Sequence, residues 1–351
     1  MYDNYELPTE VAGPMPRVTQ ESALHDNGAS SLSGASRLAD SADPLGYPSG
    51  WFWVADVRDL KPGTVRRSRL MDGEVVVYRT RSGLVRAVRP YCPHLGAHLG
   101  VGGKVAGENL VCPFHHFEFA PDGRCVDSPD GATIPVGLSH YEVREKHGMV
   151  FVWHGPAGSA PTWELPEVAD PAVVPMFRWS GEIPTHAQEM AENAADFRHL
   201  SILHGVHMVE AEPCEADGPV FRVHTRSSGQ GSGGFRDNQQ TIVMAGLGYT
   251  HIRFTIPRLG VVARMWGLQT PIGPWRTHLH SVVTCEGTGG AASRALAPVV
   301  ARAALRGVVK VLGEDIPIWE NKRYNPHPRL VAGESTLSRF RLWTRQFYPP
   351  E

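Results

Sequence analysis

The stretch YCPHLGAHLGVGGKVAGENLVCPFHHFEF, residues 91–119, decides how this chain is read. It carries Cys92-x-His94 and Cys112-x-x-His115, with glycines and prolines around both pairs. Outward from it the texture is that of short strands. Residues 65–90, VRRSRLMDGEVVVYRTRSGLVRAVRP, are rich in valine and broken at Asp72-Gly73 and Ser82-Gly83, which are hairpin dipeptides. HYEVREKHGMVFVWHG, residues 140–155, continues the pattern. Residues 50–155 therefore read as a compact all-β domain. PAGSAPTWELPEVADPAVVP, residues 156–175, is Pro-rich and reads as a linker. Residues 1–45 are rich in Ser, Ala, Gly, Asp and Pro and read as an N-terminal arm with little to bury.

A chain of 351 residues favours two domains. A formal net charge of −2 gives no long-range attraction for nucleic acid or anionic lipid. No apolar run reaches the roughly 18–20 residues of a membrane span. The first residues lack a basic region followed by an apolar one, so no secretory leader and a cytoplasmic location are expected. The five cysteines are Cys92, Cys112, Cys125, Cys214 and Cys285. An odd number without an export signal argues for metal binding or buried thiols rather than disulfides.

The second half is mixed. Residues 185–207, THAQEMAENAADFRHLSILHGVH, read as one helix. Residues 220–228, 238–248, 249–257, 261–271 and 277–287 alternate as antiparallel strands, and residues 294–324 show helical spacing. The fold class expected is α+β, with helices covering one face of an antiparallel sheet. No internal repeat is visible.

Two Cys–His pairs in a β domain have three readings. A structural zinc ion uses the same residue types. Buried thiols beside satisfied histidines need no metal. In a Rieske [2Fe–2S] centre two cysteines hold one iron and two histidines the other. The order Cys92-x-His94 … Cys112-x-x-His115 favours the third, because each loop supplies one thiolate and one imidazole. The C-x-x-C pairs of zinc ribbons are absent. His98, His116 and Cys125 read as neighbours rather than ligands.

The pattern C-P-H-L-G-A … G-G-K-V … C-P-F-H … D-G-R-C resembles the Rieske domain of ring-hydroxylating and steroid-acting oxygenases. A second signal lies in ENAADFRHLSILHG, which holds Asp196-x-x-His199-x-x-x-x-His204. Non-haem Fe(II) oxygenases use two histidines and one carboxylate and leave positions open for O₂ and substrate. Histidines five apart are off-face on an ideal helix, so the helix must end near Gly205 or carry a π-type bulge. The resemblance implies Asp315, in GEDIPIWENKRY, as the carboxylate ligand, with Glu314 as its rival and Glu320 a solvated acid. It gives Asp196 a different part: an acid hydrogen-bonded to a cluster histidine and an iron histidine, across neighbouring subunits of a homotrimer. His186, His207, His224 and His280 read as ordinary satisfied histidines. The implied domains are an arm over 1–45, a Rieske domain over 46–157 and a catalytic iron domain over 158–351.

Gly229-x-Gly231-x-x-Gly234 fits a dinucleotide fingerprint, but the following FRDNQQTIVMAG alternates like a strand, so a hairpin loop is expected. Electrons from NAD(P)H must then come through a separate flavin-dependent reductase, with or without a ferredoxin. Together with the terminal FRLWTRQFYPP, the motifs look most like the sterol-acting branch. That branch holds the Neverland-type cholesterol 7-desaturases and the oxygenase component of 3-ketosteroid 9α-hydroxylase. It implies O₂-dependent hydroxylation or desaturation of a hydrophobic polycycle. Phe117 departs from the tryptophan commoner at that place. Three rival readings are an aromatic-ring or natural-product oxygenase, a pure electron carrier without catalytic iron, and a zinc module.

Overall fold

A computed structural model describes residues 45–227 and 239–349. The N-terminal arm and the Gly229–Gly234 loop expected from the sequence fall outside the described residues.

The first half is built of eleven short strands. They are β1 (Gly50–Asp56), β2 (Val65–Leu70), β3 (Gly73–Arg79), β4 (Val85–Val88), β5 (Lys104–Ala106), β6 (Asn109–Val111), β7 (Glu118–Phe119), β8 (Cys125–Asp127), β9 (His140–Tyr141), β10 (Val143–Lys146) and β11 (Met149–His154). They form three antiparallel sheets, ordered β1-β11-β10, β2-β3-β4-β9 and β5-β6-β7-β8. Hairpins turn near both expected dipeptides: β2 meets β3 across Met71 and Asp72, one residue before the expected Asp72-Gly73, and Gly83 takes φ +100° between β3 and β4. The small β5–β8 sheet carries the second Cys–His loop and packs Leu110 and Phe119 under both cysteines.

The second half opens with β12 (Phe177–Ile183), α1 (Ala187–Glu192) and α2 (Phe197–Ile202). Strands β13 (Met208–Asp217), β14 (Val220–Ser227), β15 (Gln239–Ala245), β16 (Tyr249–Ile256), β17 (Val261–Gly273) and β18 (Arg276–Gly287) follow. Helices α3 (Ala291–Asn321) and α4 (Ser335–Thr344) close the chain. The seven strands form one antiparallel sheet, β12-β18-β17-β16-β15-β14-β13. The architecture is α+β, as expected. The single helix expected over 185–207 is instead two short ones. His186 caps α1 by accepting from the Gln188 N–H, and Asp196 caps α2 by accepting from the Arg198 and His199 N–H groups. Strands β12 and β13 and helix α4 were not read from the sequence.

The two faces of the large sheet do different work. Tyr249, Trp266, Leu268 and Val282 face the first half and pack with Trp51, Met149, Phe151 and Trp153. Phe254, Ala263, Leu279 and Val283 face α3 and pack with Ala297, Ala301, Leu305 and Leu312. Residues 156–175 are no loose linker, because Trp163, Leu165, Val168 and Val173 join the first of these cores.

A buried polar network also crosses between the halves. Asp56 of β1 accepts from Arg178 at 2.6 Å, from Trp53 Nε1 at 3.1 Å, and lies 3.1 Å from His280 Nε2. His280 Nδ1 meets Ser180 Oγ at 2.7 Å, and the Trp53 ring stacks on His280 at 4.0 Å. Burial alone would push Asp56 up; the bonds from His280, Arg178 and Trp53 win and hold it well below the carboxylate range.

Candidate metal centres and active site

The two Cys–His loops close in the same way. The Cys92 N–H donates to Ala97 O at 2.8 Å, and the Cys112 N–H to Phe117 O at 2.9 Å. The residue just before each closure is left-handed: Gly96 at φ +74° and His116 at φ +58°. Glycine takes that conformation freely, whereas a histidine there is strained. His116 is thus the counterpart of Gly96, exposed on the turn, which accounts for a histidine beside His115 that is not its equivalent.

Cys92 and Cys112 are 3% and 1% exposed, while His94 and His115 are exposed. The two thiols are neighbours, Cys112 raising the proton affinity of Cys92, and the two imidazoles meet at 4.8 Å between ring centroids. The donors therefore pair by element, sulfur inside and nitrogen outside. Among the described residues the only set of three or more His, Cys, Asp or Glu donors lying within 4.8 Å of one another is elsewhere in the chain. One tetrahedral zinc would need all four donors at a single point. A two-iron cluster needs the paired arrangement seen here. Burial pushes the Cys92 thiol up to about 11, with Cys112 adding to it, and a bound metal ion is what makes a thiolate stable in such a place. Exposed Leu95 and Phe114 flank the two histidines. His98 lies behind the loop, 2.7 Å from Glu74.

The set of donors within 4.8 Å is His199, His204 and Asp315. His199 is on α2. His204 lies beyond its end, because the chain leaves the helix at Ile202 and turns through Gly205 at φ +66°. The helix ends rather than bulges, and that ending turns two histidines five residues apart toward each other, with ring centroids 5.3 Å apart. Asp315 comes from α3, and its Oδ1 is 3.0 Å from His204 Nε2. Pro317 follows within the same helix and has no N–H for the Gly313 carbonyl, so this turn is one hydrogen bond short.

Further partners hold this set. Glu314 Oε2 is 2.7 Å from His204 Nδ1, so the sequence rival of Asp315 orients the histidine instead. Asn193, in the break between α1 and α2, lies beside the Asp315 carboxylate and favours its charged form. Asp196 Oδ2 is 3.7 Å from His199 Nδ1. Neither Asn193 nor the orienting role of Glu314 was read from the sequence, although both flank the motif residues. Burial holds the His199 imidazole below its ordinary value and pushes the Asp315 carboxyl up. Two imidazoles and one carboxylate on one side of a point are the donor set of a non-haem iron site with open positions. His186 and His280 are satisfied by Gly46 O and by Asp56 and Ser180, as expected of ordinary histidines.

An all-β Cys–His domain joined to a helix-covered sheet with a two-histidine, one-carboxylate set defines a Rieske-type oxygenase. Comparison with known proteins agrees. The Rieske [2Fe-2S] domain family matches residues 50–141, and the 3-ketosteroid 9alpha-hydroxylase C-terminal domain family matches residues 152–348. The chain belongs to this steroid-acting family of Rieske oxygenases and is an oxygenase-type oxidoreductase. It is 32% identical over 333 residues to the cholesterol 7-desaturase nvd of Bombyx mori, covering 90% of this chain and 72% of that one. It is 27% identical over 331 residues to a probable 3-ketosteroid-9-alpha-monooxygenase oxygenase component of Rhodococcus rhodochrous, covering 87% and 81%. The fold is shared with NdmA of Pseudomonas putida CBB5 with caffeine, at TM-score 0.67 and 17% identity over 84% of this chain and 89% of that one. It is shared also with dicamba monooxygenase bound to dicamba, at TM-score 0.61 and 17% identity over 86% and 98%. Among the described residues no helix is long and apolar enough to cross a membrane.

Proposed function

We propose that this chain is the oxygenase component of a multi-part system that hydroxylates or desaturates a steroid or sterol. The observation that carries the proposal is the convergence of His199, His204 and Asp315 in the same chain as a Rieske domain. Cys92, Cys112, His94 and His115 would hold a [2Fe–2S] cluster, and His199, His204 and Asp315 an Fe(II) ion. When bound, the cluster supplies single electrons and the mononuclear iron supplies O₂ activation next to a C–H bond. Hydroxylation takes one O₂, two electrons and two protons, and yields alcohol and water. Desaturation takes the same inputs and yields an alkene and two waters. The electrons come from NAD(P)H through a separate flavin reductase, with or without a ferredoxin.

The chain's own part is placement. Glu314 fixes the ring of His204, and Asn193 fixes Asp315. Asp196 caps α2 and faces His199. In a homotrimer its remaining side would meet the exposed His94/His115 edge of a neighbouring chain. The apolar inner face of the large sheet holds a hydrophobic substrate and excludes water.

Anaerobic purification followed by iron and acid-labile sulfide counts tests this reading. The expected result is about three irons and two sulfides per chain with a Rieske-type EPR signal. Two irons and two sulfides, with no further uptake of Fe(II), would leave an electron carrier. Turnover of steroids with a surrogate reductase, and none of planar aromatics, is expected next.

A further inference from the structure

The inner face of the sheet carries one polar spot that the packing leaves unfinished. Thr250, Gly267 and Ser281 stand side by side on β16, β17 and β18, and Gln269 is two residues on from Gly267 on the same face. Apolar residues surround them: Ile252, Met265 and Val283 form the next row across the sheet, and Leu279 lies opposite Gln269. Gln269 is 5% exposed. Its Nε2 donates to Thr250 Oγ1 at 3.4 Å, and its Oε1 has no hydrogen-bond partner. A buried amide oxygen left alone destabilises the fold, so natural interiors rarely keep one without a use.

There is room beside this amide. A Cβ built on Gly267 would meet only Gln269 Nε2, at 3.5 Å. Gly267, Met265 and Ile252 are half-buried although they lie on central strands whose other face is covered by the first half. Their exposure is therefore on the side of the helices. Leu312 and Ile316, which flank Asp315 on α3, pack into the same cluster as Ile252 and Met265. The half-buried strip around Gly267 therefore packs into the same cluster as the turn of α3 that carries Asp315.

We propose that Gln269 is a specificity-determining residue that binds the hydroxyl group of a polycyclic alcohol, so that the alcohol end of the substrate rests on the sheet over Gly267. The inference rests on the steroid reading above and narrows it. A hydroxyl both donates and accepts, so it can satisfy the free Oε1 and also take the second amide N–H. A ketone only accepts and leaves Oε1 alone. Anchoring one end of a rigid ring system fixes which carbon reaches the metal donors, and a site built for a hydroxyl rejects an analogue without it.

Equilibrium binding of radiolabelled cholesterol, cholest-4-en-3-one and cholest-5-ene to the purified holoprotein tests this, with Gln269→Leu and the shape-matched Gln269→Met as variants. The expected result is that wild type prefers cholesterol, and that both variants lose about tenfold or more in cholesterol affinity. Cholest-5-ene binding should change by less than about twofold. The variants' melting temperature without ligand should hold or rise, because an orphaned polar atom has gone. A clear fall in melting temperature in both variants would mean a structural role and overturn the inference. Unchanged cholesterol affinity would overturn it too, while leaving the steroid reading intact. Failure of wild type to bind any of the three would overturn the steroid reading and this inference with it.

Discussion

The two proposed metal sites are opposite solutions to holding iron. The cluster donors lie on two loops at the edge of a small sheet, with cysteines inside and histidines outside. The proposed iron donors lie on α2, just past its end and on α3, and the His204 side chain is 1% exposed. An electron can cross a few ångströms of protein, so its site needs only one edge near the surface. A substrate must meet its metal in a dry chamber, so that site needs walls. Backbone closure shapes the tips of the loops, whereas side-chain partners from distant segments shape the interior site.

The sharpest test of this contrast is His204→Ala. Turnover should fall at least about 1,000-fold, equal to about 4 kcal/mol of barrier. The visible spectrum and sulfide content of the cluster should stay, and loss of both would break the claim of two independent sites. Cys112→Ser should remove iron and sulfide from the cluster instead.

Acid should strike the interior first. Burial holds His186 and His278 near 4 and His251 near 3, against an ordinary 6.5. Below pH 6.5 the unfolded chain takes up protons that the folded chain refuses. Stability is therefore full above 6.5 and is lost as pH falls toward 4, by on the order of 5 kcal/mol. Urea melts at pH 7.5, 5.5 and 4.5 would show a falling midpoint, and a flat series would contradict the burial of these rings.

Asp56→Ala should cost about 3 kcal/mol in a urea melt, because Arg178 loses its buried counter-charge and His280 a hydrogen-bond partner. Iron-to-sulfide ratio should not change. Glu314→Gln should weaken Fe(II) affinity by about 10- to 100-fold in a metal titration of the chain and leave the cluster alone. The smallest effect is expected of His116→Gly. It relieves the left-handed strain and should shift stability by less than about 1 kcal/mol with no change in cluster absorption.

How much of this was legible in the sequence follows from range. Cys92, His94, Cys112 and His115 sit in two loops close along the chain, and ligand chemistry makes their spacing readable. The alternation of the strands in residues 220–287 is equally local, and it appears as β14 to β18. The helix over 185–207 was misread because AENAAD has helical composition. The side-chain cap from Asp196 cuts it into two, and only the pairing of His204 with Asp315 from α3 gives the cut its sense. Glu314 was visible only as a rival acid, since its hydrogen bond to His204 spans 110 residues. The Asp56–His280 contact spans 224 residues and leaves no local trace. Gln269 looked like one more residue of a strand.

The seam between the two family matches has a consequence for inheritance. Residues 142–151 fall between the matches, yet β10 and the start of β11 lie there, and β11 pairs with β1 along its length. Trp51, Met149 and Phe151 share one core with Tyr249, Trp266 and Val282. The two matched segments thus fold around one shared core. A chimera that takes its first 141 residues from one relative and the rest from another would part Trp53 and Asp56 from His280 and Arg178. Such a chimera should lose stability, unlike one in which both sides of that seam come from one parent.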